Sequence, residues 1–299
     1  MITFFSTPKP FRGHIAVIQR NAIRSWRLTH PDAEVILFGN EEGAAEVAAE
    51  LGARHEPEVD RNPHGTPLLS SLFERADRLA EHDRLCFLNA DILLTDDFLA
   101  ASTGLAQLRE RSLMVGRRCD VDIKEFLDFS KPDWRESVRS LARECGKLRP
   151  PQWIDYFVFP RDLLRAQVPD FAVGRPGYDN WLLWKVRSMD IPVVDATEVV
   201  LAIHQNHDHS QQGGENTFWN GAEAHQNYAL LGNHFATLDN ATHRLTPNGL
   251  RPNHYHWVAL AKRKVQGIRS AAWFGLLDWT RPLRRRLGLR ERHSPEPPR

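Results

Sequence analysis

Apolar and polar residues in the first hundred positions follow two periods in turn, one typical of strands and one typical of helices. Short apolar runs predict strands at Ile2–Phe5 and Glu34–Phe38. A helix between them, ending near His30, is predicted by apolar residues that recur every three or four positions: Ile15, Ile18, Ala22 and Trp26. Strands that alternate with helices indicate an α/β fold with a mostly parallel central sheet and right-handed crossovers.

Two more helices are predicted before residue 80. Glu41–Leu51 is rich in Ala and Glu, and Gly52 follows as a helix cap. Thr66-Pro67 has the N-cap and N1 chemistry of a helix start. The apolar stripe of that helix comprises Leu68, Leu69, Leu72, Phe73, Ala76 and Leu79.

Asp91 interrupts the most apolar segment of the chain, Arg84–Leu94. Polar residues bound this segment on both sides, so we interpret it as a buried strand with Asp91 within it or at its end. A bare carboxylate is costly to bury unless it is paired or binds a metal. At the carboxyl end of a central strand it would face the ligand crevice of an open α/β sheet. A simple cap or ion pair explains Asp91 equally well.

The second half of the chain is less regular. Its predicted elements are strands at Ser112–Gly116, Trp153–Phe159, Pro192–Asp195 and Val199–Ile203, with helices at Lys131–Cys145 and Trp181–Ser188. After His204 the sequence is rich in His, Asn and Gly, which predicts a long loop region.

Asp179 follows Gly177 in a turn that leads into a helix. Asp is a favoured N-cap residue, so a purely structural role is the simpler interpretation. The alternative is a general base held on the turn.

His204 and His207 lie at a predicted strand exit. Histidine is the commonest metal ligand, although the spacing is not that of a zinc site and a His-rich loop needs no metal. The chain also lacks the phosphate-binding glycine motifs of P-loop and dinucleotide-binding proteins, and the Gly-x-Ser-x-Gly elbow of α/β-hydrolases.

Charge and cysteine content narrow the function class. Residues 262–299 carry eleven Lys or Arg and three Asp or Glu, so the other residues carry 28 minus 35, a net −7. An acidic body argues against a nucleic-acid binder. The 3 cysteines are too few for a disulfide framework, and no signal sequence or apolar membrane span is evident. We therefore expect a cytoplasmic protein.

The basic C-terminal segment suggests contact with an anionic membrane surface. Ile268–Leu289 mixes apolar residues and arginines as interfacial membrane helices do, although Pro282 interrupts the pattern. A helix packed on the body with a solvated end is the alternative, and sedimentation with anionic liposomes distinguishes the two.

In order, the chain offers an N-terminal nucleotide-fold half, Asn89-Ala90-Asp91, Gly177-Tyr178-Asp179 and His204. This combination resembles the GT-A glycosyltransferases, in particular bacterial family 2-like enzymes, over roughly residues 1–235. Asn89-Ala90-Asp91 looks like a variant of the family's Asp-x-Asp motif, with Asn89 in place of the first Asp. The resemblance implies a catalytic domain at 1–235, divided into a nucleotide-binding half (1–100) and an acceptor half (101–235), and a C-terminal extension at 236–299 that is basic from 262 and helical.

The resemblance also implies a function and its residues. The expected enzyme moves a hexose-type sugar from a nucleotide-sugar donor, most simply a UDP-sugar, to a hydroxyl of a saccharide or glycolipid acceptor, as in polysaccharide biosynthesis. The reaction would be inverting, with Asp179 as the catalytic base, and would use Mn²⁺ or Mg²⁺. The metal ligands would be Asp91 with His204 or His207. Donor contacts are expected from Ser6, Thr7, Pro8, Asn40, Asn89 and Asp91, and acceptor or sugar contacts from Asp155, Tyr178 and Asn180.

Asp155 could equally pair with an arginine. Two other functions remain open at this stage. A sugar-nucleotide nucleotidyltransferase would use a similar fold and a metal, but normally has a Gly-rich basic loop after the first strand, which is missing here. A non-catalytic saccharide-binding relative would bind without turnover.

Overall fold

The computed structural model describes residues 1–105, 111–208 and 213–253, which belong to one compact unit, Met1–Asn253. The basic tail and its proposed membrane segment, Ile268–Leu289, lie outside the described residues. Among those that are described, no helix is long and apolar enough to cross a membrane. The division expected at residue 235 stays a prediction.

Strands and helices alternate through the first half, as the sequence predicts. Its elements are β1 (Thr3–Ser6), α1 (Gly13–Arg27), β2 (Glu34–Phe38), α2 (Ala44–Leu51), β3 (Arg54–Glu56), α3 (Leu69–Leu79), β4 (Arg84–Leu88), β5 (Ile92–Leu93) and α4 (Asp97–Gly104).

The second half contains longer strands and several helices. Its elements are β6 (Leu113–Val121), α5 (Trp134–Cys145), β7 (Lys147–Leu148), β8 (Ile154–Pro160), α6 (Tyr178–Ser188), β9 (Val193–Asp195), β10 (Ala202–Gln205), α7 (Glu215–Asn220), α8 (Ala222–Leu231), a 3-10 helix (Leu238–Asn240), β11 (His243–Thr246) and β12 (Gly249–Pro252).

The main sheet has the strand order β12-β11-β9-β6-β8-β4-β1-β2-β3. β8 is antiparallel to both of its neighbours, β4 and β6, and β12 is antiparallel to β11. The other pairs along this path are parallel, so all strands on it except β8 and β12 run in one direction. The expected α/β class with a mostly parallel sheet is confirmed.

Both faces of the sheet are buried. In β1, Phe4 packs in the core on one face and Phe5 in the core on the other, because successive side chains of a strand point to opposite sides. This explains why the strands read as continuous apolar runs rather than as alternating ones. The helices α1 and α3 cover opposite faces: Trp26 of α1 lies in the core of Phe4, and Phe73 of α3 in that of Phe5.

Several predictions about the bounds of the elements were wrong. The strand expected at Val199–Ile203 is β10, Ala202–Gln205, and Arg84–Leu94 forms two strands, β4 and β5, with Asp91 between them. The helix expected to start at Thr66-Pro67 begins at Leu69, since Pro67 and Leu68 instead form isolated bridges with neighbouring segments. The strand after Ser112 continues past Gly116 to Val121. Finally, the segment after His204 is not one long loop, because it contains α7, α8 and the β11–β12 hairpin.

Candidate active site and metal centre

Strand registers bring the acidic and histidine residues side by side. β10 pairs with β5 so that His204 lies opposite Ile92, the residue after Asp91. On its other side β10 pairs with β6 in parallel, and His204 lies beside Asp120. Residues that are more than a hundred positions apart therefore meet at the carboxyl end of β4, which is where the sequence placed the ligand crevice.

Buried amides fix the backbone that carries Asp91. The side-chain nitrogen of Gln205 donates to the carbonyl oxygens of Asp91 (3.1 Å) and Ile18 (2.8 Å). Asn21 in α1 donates in turn to the side-chain oxygen of Gln205 at 3.1 Å. Because every one of these amides is buried, the loop after β4 is held rigidly against α1 and β10.

Asp91, His204 and His207 form a compact cluster. The Oδ2 atom of Asp91 lies 3.0 Å from Nε2 of His207 and 3.9 Å from Nε2 of His204. One potential ligand atom from each residue lies within 4.8 Å of the others. The second carboxylate oxygen of Asp91 is buried and has no hydrogen-bond partner among the described residues. Both histidines that the sequence offered as alternatives are thus present together.

The contacts of the two imidazoles show which nitrogens are available. Nδ1 of His204 faces the Asp120 carboxylate at 3.3 Å, and Nδ1 of His207 lies 2.6 Å from the carbonyl oxygen of Asp208. Both partners only accept hydrogen bonds, so each can take the proton of a neutral imidazole from Nδ1. Asp91 also only accepts, and Nε2 of His207 lies 3.0 Å from its Oδ2 and 3.3 Å from Nζ of Lys9. A cation bound to both Nε2 atoms would therefore leave the two protons on Nδ1, where each has an acceptor. A carboxylate with two imidazoles fits Mn²⁺ and related divalent cations.

A lysine, Lys9, lies beside the same cluster. Nζ of Lys9 lies 3.3 Å from Nε2 of His207, and burial lowers the pKa of this lysine although Asp91 raises it. Burial alone would raise the pKa of Asp91, but His204, His207 and Lys9 outweigh it and hold that pKa well below its usual range. Asp91 is consequently an anion at neutral pH, as a metal ligand must be.

Asn89 joins Asp155 and Tyr178 through two hydrogen bonds. Its amide nitrogen donates to Oδ1 of Asp155 at 2.7 Å, and its oxygen accepts a hydrogen bond from the Tyr178 hydroxyl at 2.9 Å. An aspartate here could not donate and would face the Asp155 carboxylate. This accounts for the departure from Asp-x-Asp at this position, and both polar ends of Asn89 are occupied within the protein.

Arg118 connects the two acidic groups beside the cluster. It contacts Asp120 and Asp155, each at 2.9 Å, while Arg149 contacts the other oxygen of Asp120 at 3.3 Å. Both guanidinium groups lie over the ring of Trp153, at 4.6 and 4.4 Å from its centroid. Of the two roles that the sequence left open for Asp155, the structure shows the arginine pair.

Asp179 lies in the first turn of α6, which begins after a sharp turn at Gly177, whose φ is 102°. Its N-cap is Gly177, so Asp179 is not the cap residue. The residue is partly accessible to solvent. Burial, with a smaller contribution from the negative charge of Asp155, raises its pKa to about 7. That value suits a general base near neutral pH.

The residues expected to face the nucleotide have diverse environments. Ser6 is fully buried and its hydroxyl donates to the Leu88 carbonyl oxygen at 2.6 Å, and Pro8 is also buried. Thr7 keeps a buried hydroxyl without a hydrogen-bond partner among the described residues. Asn40 is exposed and accepts a hydrogen bond from Arg61 at 3.0 Å. Asn40 is thus accessible to a ligand and the Thr7 hydroxyl has no partner among the described residues, whereas the hydroxyl of Ser6 is already bonded within the protein.

The two neighbours of Asp179 bond within the protein. The Tyr178 hydroxyl is committed to Asn89, and burial raises its pKa well above the usual range. Asn180 is buried and donates to the carbonyl oxygen of Ala236 at 3.0 Å. Both side chains therefore brace the site, and a direct contact with sugar stays a prediction.

Sequence reasoning missed Lys9, Arg118, Asp120 and Arg149. The Asp120 strand was expected to end at Gly116, and the residues after Gly116 include Arg117, Arg118 and Asp120. Charged residues can continue a strand when they face a polar site, and the pairing of Asp120 with His204 shows this. Only the strand register, which the sequence pattern does not give, would have revealed it.

No protein-family model matches the chain. No curated protein matches it either. Solved structures that resemble it include glucosyl-3-phosphoglycerate synthase from Mycobacterium tuberculosis, at 17% identity and a TM-score of 0.47, covering 79% of this chain and 80% of that one. The same enzyme in complex with Mg²⁺ and uridine diphosphate has 18% identity and a TM-score of 0.48, and the match covers 79% of each chain. Its complex with Mn²⁺, UDP-glucose and glycerol 3-phosphate has 17% identity and a TM-score of 0.47, and the match covers 84% of this chain and 86% of the other. Likeness at this identity and TM-score assigns neither fold nor function to the present chain.

Proposed function

We propose that this protein is a metal-dependent, inverting glycosyltransferase of the GT-A type that uses a nucleotide-sugar donor, with UDP as its simplest nucleotide. The observation that carries the proposal is a pair of carboxylates with opposite properties, next to residues that contact each other: Asp91 follows Asn89 by two residues, and Asp179 follows Tyr178, whose hydroxyl donates to Asn89. Asp91 is held as an anion among histidines, and Asp179 has its pKa raised to about 7. One is suited to hold a cation and the other to take a proton.

The donor diphosphate belongs beside Asp91. A divalent cation on Asp91, His204 and His207 would neutralise the charge that builds on the departing diphosphate. Lys9 supplies a further positive charge close to His207. Thr7 and Asn40, at the ends of β1 and β2, remain the candidates for contact with the nucleoside.

The acceptor hydroxyl belongs beside Asp179. Asp179 takes the proton from this hydroxyl while the hydroxyl oxygen forms a bond to the anomeric carbon of the donor sugar. The bond from that carbon to the diphosphate breaks on the opposite face. The charge of Asp155 helps to raise the pKa of Asp179. A saccharide or glycolipid acceptor and a role in polysaccharide biosynthesis follow from the family resemblance alone.

Metal-dependent nucleotide binding tests the first half of the proposal. Thermal unfolding is measured with UDP, GDP and ADP, each with Mn²⁺ and with EDTA. We expect UDP to raise the melting temperature only with Mn²⁺, because the diphosphate would bind through the metal. The shift should be measurable, since a ligand at 100 times its dissociation constant adds about 2.7 kcal/mol of stability.

An Asp91→Asn variant is the matched control, because it removes the anionic ligand with little change in size. Its melting temperature should no longer respond to UDP with Mn²⁺. Equal shifts in Mn²⁺ and EDTA would contradict the metal assignment.

A further inference from the structure

The metal ligands have a partner that no motif indicated. We propose that Asp120, clamped by Arg118 and Arg149, is the positioning residue that makes His204 a metal ligand through its Nε2 atom. This inference rests on the proposed metal site and deepens it. It concerns how one ligand is oriented and not which metal or donor is bound.

The first argument is register. Asp120 in β6 lies directly beside His204 in β10, in a parallel pairing that extends from Ala202 to Gln205. Residues aligned in this way project from the same face of a sheet. The Oδ1 atom of Asp120 lies 3.3 Å from Nδ1 of His204. Both side chains are about nine-tenths buried, so solvent does not replace this contact.

The second argument is the direction of the proton. Asp120 and Asp91 both only accept, and Asp120 is the nearer to His204, at 3.3 Å from Nδ1 against 3.9 Å from Nε2 to Asp91. The contact with Asp120 has the distance of an ion pair but not the alignment of a hydrogen bond, and it favours the proton of a neutral His204 on Nδ1, which leaves Nε2 for a metal. A carboxylate partner also makes the imidazole a stronger ligand than a carbonyl would. His207 differs here, because the partner of its Nδ1 is the main-chain oxygen of Asp208. At Nδ1, His204 thus faces a carboxylate side chain, whereas His207 faces a main-chain oxygen.

The third argument is how Asp120 is itself held. Arg118 contacts its Oδ1 at 2.9 Å and Arg149 contacts its Oδ2 at 3.3 Å. Arg118 also binds Asp155 at 2.9 Å, and Asp155 accepts a hydrogen bond from Asn89. The position of Asp120 is therefore set by a charged network and not by the histidine alone.

Titration with Mn²⁺ alone, followed by the electron paramagnetic resonance signal of the free ion, tests this inference in the full chain. We expect Asp120→Asn to weaken Mn²⁺ binding by about 10- to 100-fold, the usual effect of losing the partner of a ligating histidine. The melting temperature without metal shows whether the variant folds. Asp122→Asn is the matched control, because it removes a nearby exposed carboxylate whose partner is Asn206, and it should leave Mn²⁺ affinity within about two-fold.

A second measurement does not depend on the variant. Nitrogen-15 spectra of histidine side chains in the wild-type protein with Mg²⁺, with His204 assigned through His204→Gln, should show His204 protonated on Nδ1. Unchanged Mn²⁺ affinity in Asp120→Asn, or a proton on Nε2 of His204 in the wild type, would overturn the role of Asp120. Failure of the wild type itself to bind Mn²⁺ would overturn the metal site, and the role of Asp120 with it.

Discussion

The surroundings of Asp91 and Asp179 move the pKa of the two carboxyls in opposite directions. Asp91 has two histidines and a lysine beside it, and its pKa is lowered despite burial. Burial and the negative charge of Asp155 raise the pKa of Asp179 to about 7. Environment, and not residue type, therefore separates the proposed metal ligand from the proposed base.

Replacing Asp179 with Asn should remove the base and preserve the fold. We expect donor and Mn²⁺ affinity to stay close to wild type, and the transfer rate to fall by roughly 10²–10⁴-fold. The wild-type rate should rise as the pH increases through about 7, because the carboxylate form accepts the proton, and this rise should vanish in the variant.

Stability provides the control for this variant. The pKa of Asp179 is about 7 in the folded protein, whereas an Asp in an unfolded chain has a pKa of about 3.9. The contribution of this group to stability is therefore present at low pH and is lost as the pH rises through this window. Asp179→Asn should be at least as stable as wild type at pH 8. A transfer rate within a few-fold of wild type would remove Asp179 as the base.

At the scale of elements, the apolar pattern predicted the first half of the chain well. Glu34–Phe38 is a strand with those bounds, and Gly52 caps α2 in the left-handed conformation, with φ 65°. Strands buried on both faces produce apolar runs that are easy to recognise. The pattern failed at β6, because its carboxyl half carries charged side chains that are stabilised by partners distant in sequence.

An irregularity in β6 connects its apolar half to its charged half. The register with β8 shifts between Val115 and Arg117, at Gly116. A Cβ atom at Gly116 would meet the hydroxyl and ring of Tyr156. Among the described residues, that hydroxyl is buried without a hydrogen-bond partner. Glycine at this position is thus explained by contact with one aromatic residue.

Gly116→Ala should lower the free energy of unfolding by about 1–3 kcal/mol, as overpacking of a core does. Tyr156→Phe alone should be nearly neutral, because it removes an unsatisfied hydroxyl. In the Tyr156→Phe background, Gly116→Ala should cost less, which a double-mutant cycle of urea unfolding measures. An identical cost in both backgrounds would show that the hydroxyl is not the obstacle.

At the scale of the whole molecule, the site is assembled from both halves of the chain. The sequence predicted Asp91, Asp179 and the two histidines, because strand ends and turns in α/β folds are where such residues act. It could not predict that Asn89 bridges Asp155 and Tyr178, or that Asp120 faces His204. These contacts depend on which strands are neighbours in the sheet, and a one-dimensional pattern does not contain that information.

Turnover of a nucleotide sugar tests the central claim most directly. Release of the nucleoside diphosphate is measured without acceptor for a panel of UDP-, GDP- and ADP-sugars, with Mn²⁺ or EDTA, for wild type and Asp91→Asn. We predict release from at least one donor by the wild type with Mn²⁺, and its loss in EDTA and in Asp91→Asn. A protein that binds these donors with Mn²⁺ but releases no diphosphate from any of them would contradict the assignment as a transferase and would indicate a saccharide-binding protein.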